Sequence, residues 1–176
     1  MNIIDFFRVE QKRLHQWLHA AVSDLTPGEW HRTGPGTGNN IAFLMWHCAR
    51  TEDNILRFIL QGRPPRWNEE GWHERLGLPP RVQGTGMATD DARAFHITDT
   101  ALFMEYAEAV WREYEDYLAA VQDGGAELSE RVVTVKPLGE LRAIQAIGQV
   151  CISHLFTHYG EIAYILGELG KKGQPI

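Results

Sequence analysis

Four stretches of this sequence repeat their apolar residues at intervals of three and four, and no stretch alternates as a strand would. A helix turns once per 3.6 residues, so this rhythm gives each stretch one apolar face that must be covered. The first runs from about Ile3 to Leu25, with Phe7, Leu14, Leu18, Ala21 and Leu25 on one face, and Thr26-Pro27-Gly28 stops it. Asn39 or Asn40 caps the second, which reads Ile41 to Leu60 and ends at Gln61-Gly62-Arg63-Pro64-Pro65. The third opens near Thr98-Asp99-Thr100 and reaches about Gln122. The fourth runs from Gly139 or Ile144 to Leu169 and closes on Gly170-Lys171-Lys172-Gly173, a glycine cap with lysines near the negative end of the helix dipole. Such faces bury best against one another. The pattern predicts an all-α fold, a four-helix bundle, as one domain over residues 1–176.

The connection between the second and third helices is about 36 residues, far longer than the usual 2–8 within bundles. It holds Trp67, Trp72, His73, Leu76, Leu78, Pro79-Pro80 and Gly84-Thr85-Gly86, too many apolar groups for a floppy linker. Two readings stand: a packed cap on one side of the bundle, or a cover over an active site. A second linker, Asp123 to Pro137, carries Arg131-Val132-Val133-Thr134-Val135, which suits a short extended piece.

Charge and cysteine usage narrow the function classes. Acidic residues outnumber basic ones 23 to 17, for a formal charge of -6, so the basic face of a nucleic-acid binder is not expected. No apolar run approaches the ~18 residues of a membrane-spanning helix. The start of the chain does not read as a secretory signal. Cys48 and Cys151 lie in apolar runs without a CxxC pairing, as buried thiols of a reducing cytoplasm do.

The histidines carry the chemistry. On the fourth helix, Ile144, Ile147, Cys151, Leu155, Ile162, Ile165 and Leu169 define the apolar face. Counting roughly 100° per residue, His158 falls within about 30° of the centre of that face and His154 at its edge. Spaced i,i+4, the two imidazoles stand one turn apart and could share one ion. Burial keeps them neutral, and neutral imidazole suits zinc, nickel or iron. Hydrogen bonds to hydroxyls, waters or carboxylates would satisfy them as well, and spacing alone leaves both readings open. His47, on the flank of the stripe formed by Ile41, Leu44, Cys48 and Ile55, ranks first as a third ligand. His15 and His19 share the i,i+4 spacing but fall about 80–120° from the centre of their helix's apolar face, which predicts solvated or subunit-contact residues. Glu161, one turn beyond His158, is a candidate to orient a ligand or to accept a proton; an exposed helix charge is the alternative.

Other chemistries fit less well. The residues between His154 and His158 are not those of a zinc protease, and there is no Gly-x-Ser-x-Gly or Walker loop. Cys48 reads as structural. Arg50, Glu52 and Asp53 read as a solvated helix surface, with Arg50 and Glu52 free to pair with a neighbouring element.

At this point the residues resemble a family. Asn40-Ile41-Ala42-Phe43-Leu44-Met45-Trp46-His47-Cys48-Ala49-Arg50-Thr51-Glu52-Asp53 resembles the second-helix signature of the DinB/YfiT-like superfamily. His154-Leu155-Phe156-Thr157-His158-Tyr159-Gly160-Glu161-Ile162 is similar to its His-x3-His-x-Gly-[Glu/Gln]-Ile pattern, and the Gly71–Pro79 and Gly84–Met87 segments resemble its crossover. The resemblance implies a four-helix bundle with a long crossover between helices 2 and 3, and a metal triad of His47, His154 and His158. It also implies zinc or nickel as the ion, a homodimer, and thiol-dependent relatives such as mycothiol-dependent maleylpyruvate isomerase and bacillithiol S-transferases.

Two functions follow as expectations. In the first, the triad holds a divalent ion in a metal-dependent enzyme of the thiol S-transferase or isomerase type. A low-molecular-weight thiol and a small-molecule substrate then meet at an open coordination position, with Glu161 in a catalytic role and Trp67 and Trp72 roofing the cleft, Trp72 as a cofactor contact. In the second, the chain is a non-catalytic metal-binding or stress-response module whose site is closed by Glu161 or a fourth histidine.

Overall fold

A computed structural model describes residues 1–34 and 38–172. Pro35, Gly36 and Thr37 of the glycine-rich loop, and the Gly173 expected in the final cap, lie outside the described residues. Helix α1 (Ile3–Val22) starts on a reciprocal cap in which the Asn2 and Asp5 side chains each accept the other's backbone N–H. One turn, α2 (Pro27–Trp30), follows the Thr26-Pro27 stop. Helix α3 (Ile41–Asp53) is capped by Asn40 and runs on through wider π-helical turns at Asn54–Leu60. The crossover carries three short helices, α4 (Arg66–Glu69), α5 (Trp72–Leu76) and α6 (Thr89–Arg93). After α7 (Thr100–Ala120), the chain forms α8 (Ala126–Glu130) and strands β1 (Val132–Val135) and β2 (Gly139–Arg142). It ends with α9 (Ala143–Gln145), a second π-helical stretch (Ala146–Ser153) and α10 (His154–Glu168).

Helix α1 packs on α7 and α10, and α3 packs on the same two, so α1 and α3 face each other across the bundle. One part of the core gathers Trp46, Trp67, Phe103 and Tyr106, and a second gathers Ile55, Tyr114, Ile147 and Cys151, with Phe156 packed against both. The crossover is a packed cap: Trp67 is fully buried, with Trp46 and Tyr106 against its ring.

Along the long helices the structure refines the sequence expectations. Of the two starts expected for the fourth helix, Gly139 and Ile144, the structure bears out the second to within one residue. Gly139 lies in a two-stranded antiparallel hairpin, pairing with Val135, and the helix starts at Ala143. The apolar teeth Val133, Val135 and Leu141 turn this hairpin against the second part of the core. Helix α3 is also not amphipathic, because every one of its 13 residues is buried, Arg50, Glu52 and Asp53 included. Neighbouring helices cover two of its sides and α4 of the crossover covers another, which leaves no solvated face. Lastly, the π-helical turns before His154 break the 100° count that sequence reasoning carried through the fourth helix. Measured from the buried Leu155, Tyr159, Ile162, Ile165 and Leu166 of α10 alone, His158 and His154 sit about 55° and 95° off the face's centre, both on one flank.

Candidate metal centre

That flank of α10 meets α3 at His47. The Nε2 atoms of His47 and His154 are 3.4 Å apart, and those of His154 and His158 are 2.9 Å apart. The rings meet edge to face, with centroids 4.4–5.2 Å apart. Each Nδ1 turns outward to an acceptor. His47 Nδ1 donates to the Gln83 carbonyl at 2.5 Å, His154 Nδ1 to the Val150 carbonyl at 3.3 Å, and His158 Nδ1 to Glu161 Oε1 at 2.8 Å. A carbonyl or carboxylate can only accept, so these partners assign the proton to Nδ1 and leave a lone pair on every Nε2. Three lone pairs aimed at one point repel one another unless a cation lies between them.

The spacing fits such a cation. Nitrogen ligands at ~2.0–2.1 Å from a zinc-like ion stand about 2.9 Å apart at a right angle and about 3.4 Å apart at a tetrahedral angle. The two measured separations match these values. Protonation is also held off. Burial drives the His47 pKa down to about 4, outweighing the Gln83 carbonyl that favours its charged form. Burial, and then the neighbouring His158, lowers the pKa of His154.

Each ligand is positioned by identifiable local structure. His47 lies two turns into α3, whose start is anchored when the Asn40 side-chain amide donates to the Arg93 and Phe95 carbonyls at the end of the crossover. The Phe43 ring stacks parallel to the His47 ring at 5.8 Å. The Gln83 carbonyl reaches His47 because the next residue is Gly84. At φ +93°, its backbone suits glycine, and a Cβ there would lie 2.9 Å from the Phe43 ring and 3.0 Å from His47 Nδ1. Glu161, half-buried, accepts from His158 through Oε1 and from the Asn39 side chain at 3.3 Å through Oε2. The His158 contact, ahead of the other influences, holds its pKa below the usual carboxylate range.

The structure brings His47, His154, His158 and Glu161 together, and Trp72 lies elsewhere. Its ring packs 5.7 Å from Tyr106 with Arg75 stacked 3.9 Å above it, and its Nε1 donates to Glu70. The piece of the crossover that covers the histidines is Gln83-Gly84. Beside His154 opens a cavity of about 620 Å³, walled by Arg50, Ile55, Phe58, Gln83 and Val135 among others, and neither Trp67 nor Trp72 lines it. Cys48 is in the core, as expected, and burial pushes its thiol pKa well up.

Two buried polar groupings escaped the sequence reading. Asp53 accepts from the Arg66 and Trp67 backbone N–H groups at 2.8 and 2.9 Å, so it caps α4 from a distance, and from the Tyr106 hydroxyl at 2.8 Å. His15, expected to be solvated or at a subunit contact, is buried against Glu52, with Nε2 2.9 Å from Glu52 Oε1 and Nδ1 3.2 Å from Glu115. The Trp111 ring stacks on it at 5.0 Å, and Gln11 also donates to Glu52. His19 is the exposed member of that pair.

Residues 10–162 match a family model described as the DinB superfamily. The chain belongs to the DinB superfamily. No curated protein matches its sequence. Among solved structures, the crystal structure of a conserved protein from Enterococcus faecalis superposes with a TM-score of 0.80 at 20% identity, covering 97% of this chain and 99% of that one. The likeness shows that the two share the DinB-like fold. Among the described residues, no helix is long and apolar enough to cross a membrane.

Proposed function

We propose that this DinB-superfamily chain is a divalent-metal-dependent enzyme of the thiol S-transferase or isomerase type. The observation that carries the proposal is the convergence of three Nε2 lone pairs, each fixed by an Nδ1 donor bond, with one of the three histidines, His154, lining a cavity large enough for a small molecule. His47, His154 and His158 would hold the ion, zinc or nickel by the chemistry of three imidazoles. Bound there, the ion would lower the pKa of a low-molecular-weight thiol, so that the thiolate can attack an electrophilic substrate.

The chain's own residues supply the rest. The Gln83 and Val150 carbonyls and Glu161 hold the imidazole tautomers. Burial keeps His47 unprotonated, and the crossover and the hairpin turn line the cavity. Glu161 is best read as a positioning residue, since Oε1 is engaged behind the His158 ring, away from Nε2. That placement also favours the enzyme over a closed, non-catalytic module, because the carboxylate proposed to close the site faces the other way. Among the described residues, the cluster counts three potential ligand groups and no fourth. One domain over residues 1–176, a homodimer and a cytoplasmic setting complete the reading.

The test is conjugation of a panel of thiols with a chromogenic electrophile by nickel- or zinc-loaded protein. Turnover should vanish on chelation and in His158→Ala, with the helical circular dichroism retained. Full turnover in chelated protein would overturn the proposal.

A further inference from the structure

The cavity beside His154 carries a charge pattern that metal binding leaves unexplained. In a chain of formal charge -6, its walls include Arg50, Arg81 and Lys136 and, among the described residues, no acidic side chain. Arg50 is the residue with unmet demand. It is 3% exposed, and its Nε is buried without a hydrogen-bond partner. Its contact to Asp53 is one long hydrogen bond of 3.3 Å, to an oxygen that already accepts from Trp67 and Tyr106. Its guanidinium also lies over the Trp67 face at 5.0 Å and hydrogen-bonds with the Tyr106 hydroxyl. A guanidinium presents five N–H donors in a planar fork that matches a carboxylate, and with Nε unpartnered Arg50 keeps donor capacity for a further anion. Arg81 and Lys136 are exposed and can draw such an anion in from solvent. The remaining wall is largely apolar, with Ile55, Phe58, Val135 and Val150.

We propose that this cavity binds an amphipathic carboxylate, with its acid group on Arg50 and its apolar body on Ile55, Phe58 and Val135. The proposal rests on the enzyme reading only in assigning the end nearest His154 as the reacting one; the anion subsite stands on its own residues. A carboxylate is favoured over a phosphate because one buried guanidinium, with no glycine-rich phosphate loop among the walls, matches a single planar anion.

The experiment is calorimetric titration with matched pairs. Hexanoate and 1-hexanol go into chelator-treated protein, where no metal can ligate the acid; 6-mercaptohexanoate and 6-mercapto-1-hexanol go into nickel-loaded protein. Each carboxylate should bind about tenfold more tightly than its alcohol, as for one charge-assisted bidentate contact. The preference should disappear in Arg50→Gln. It should shrink, and lose salt dependence, in the surface variant Arg81→Gln/Lys136→Gln, which keeps the test decisive should Arg50→Gln fail to fold. Equal affinities within both pairs would overturn the carboxylate site, whatever the thiol contributes. A carboxylate preference with no gain from the thiol would uphold this site and count against the thiol reading instead.

Discussion

Replacing Glu52 by Gln would remove the charge that holds His15 protonated at the centre of the bundle. Burial alone would keep His15 neutral, but Glu52, helped by the partly exposed Glu115, outweighs it and raises the pKa to about 9. Against the ordinary 6.5, that difference corresponds to roughly 3 kcal/mol of stability, at about 1.4 kcal/mol per pH unit. The folded state binds this proton more tightly than the unfolded chain. The contribution is therefore complete below about pH 6.5 and is lost as the pH rises through about 9. Glu52→Gln should destabilise the protein by about 2–3 kcal/mol near pH 7, which for a chain of this size is roughly 4–12 °C in Tm. The assay is urea unfolding of chelator-treated protein at several values between about pH 6 and pH 9.5, with His15 followed by NMR. Wild type should lose stability across that range, and the variant should be nearly flat. Changing both His15 and Glu52 to Leu should recover much of the loss, because no buried charge is then left unpaired. Equal pH slopes in wild type and Glu52→Gln would refute the pairing.

Two further outcomes are expected. Gly84→Ala should cost about 2–3 kcal/mol, because it combines a strained φ of +93° with a Cβ 2.9 Å from Phe43. Its metal affinity should fall as well, because the Gln83–His47 contact shifts; thermal scans with and without nickel report both, and an unchanged Tm would contradict the packing argument. Glu161→Ala should weaken metal binding about 10–100-fold by freeing the His158 ring, with little effect on metal-free stability, as read by competition against a chromogenic chelator. Unchanged affinity would remove its positioning role.

The long helices and the clustering of the three histidines were legible because both rest on local periodicity. The i,i+4 spacing of His154 and His158 survives a phase error, and His47 announced itself as a histidine among Phe43, Leu44, Met45, Trp46 and Cys48. What escaped depends on groups far apart in sequence. Arg50, Glu52 and Asp53 look like surface charges until the crossover supplies the Arg66 and Trp67 N–H groups and α1 supplies Gln11 and His15. A signal was present in α1, where the buried series Ile4, Phe7, Gln11, Leu14 and Leu18 places a glutamine at a core position. Such a residue requires a polar partner across the bundle. The sequence pointed to Trp72 as the cover of the histidines because aromatic residues draw attention, whereas Gln83-Gly84 lies against His47. The residue that lets the chain approach His47 is Gly84, whose missing side chain is its contribution.

His47, His154 and His158 are proposed to form one metal site. Elemental analysis of protein purified without a histidine tag, after equilibration with zinc or nickel, tests it most directly. About one equivalent per chain is expected, with loss in His154→Ala and in His158→Ala while both variants remain helical. Failure of the native chain to take up either ion, or full retention by both variants, would contradict it.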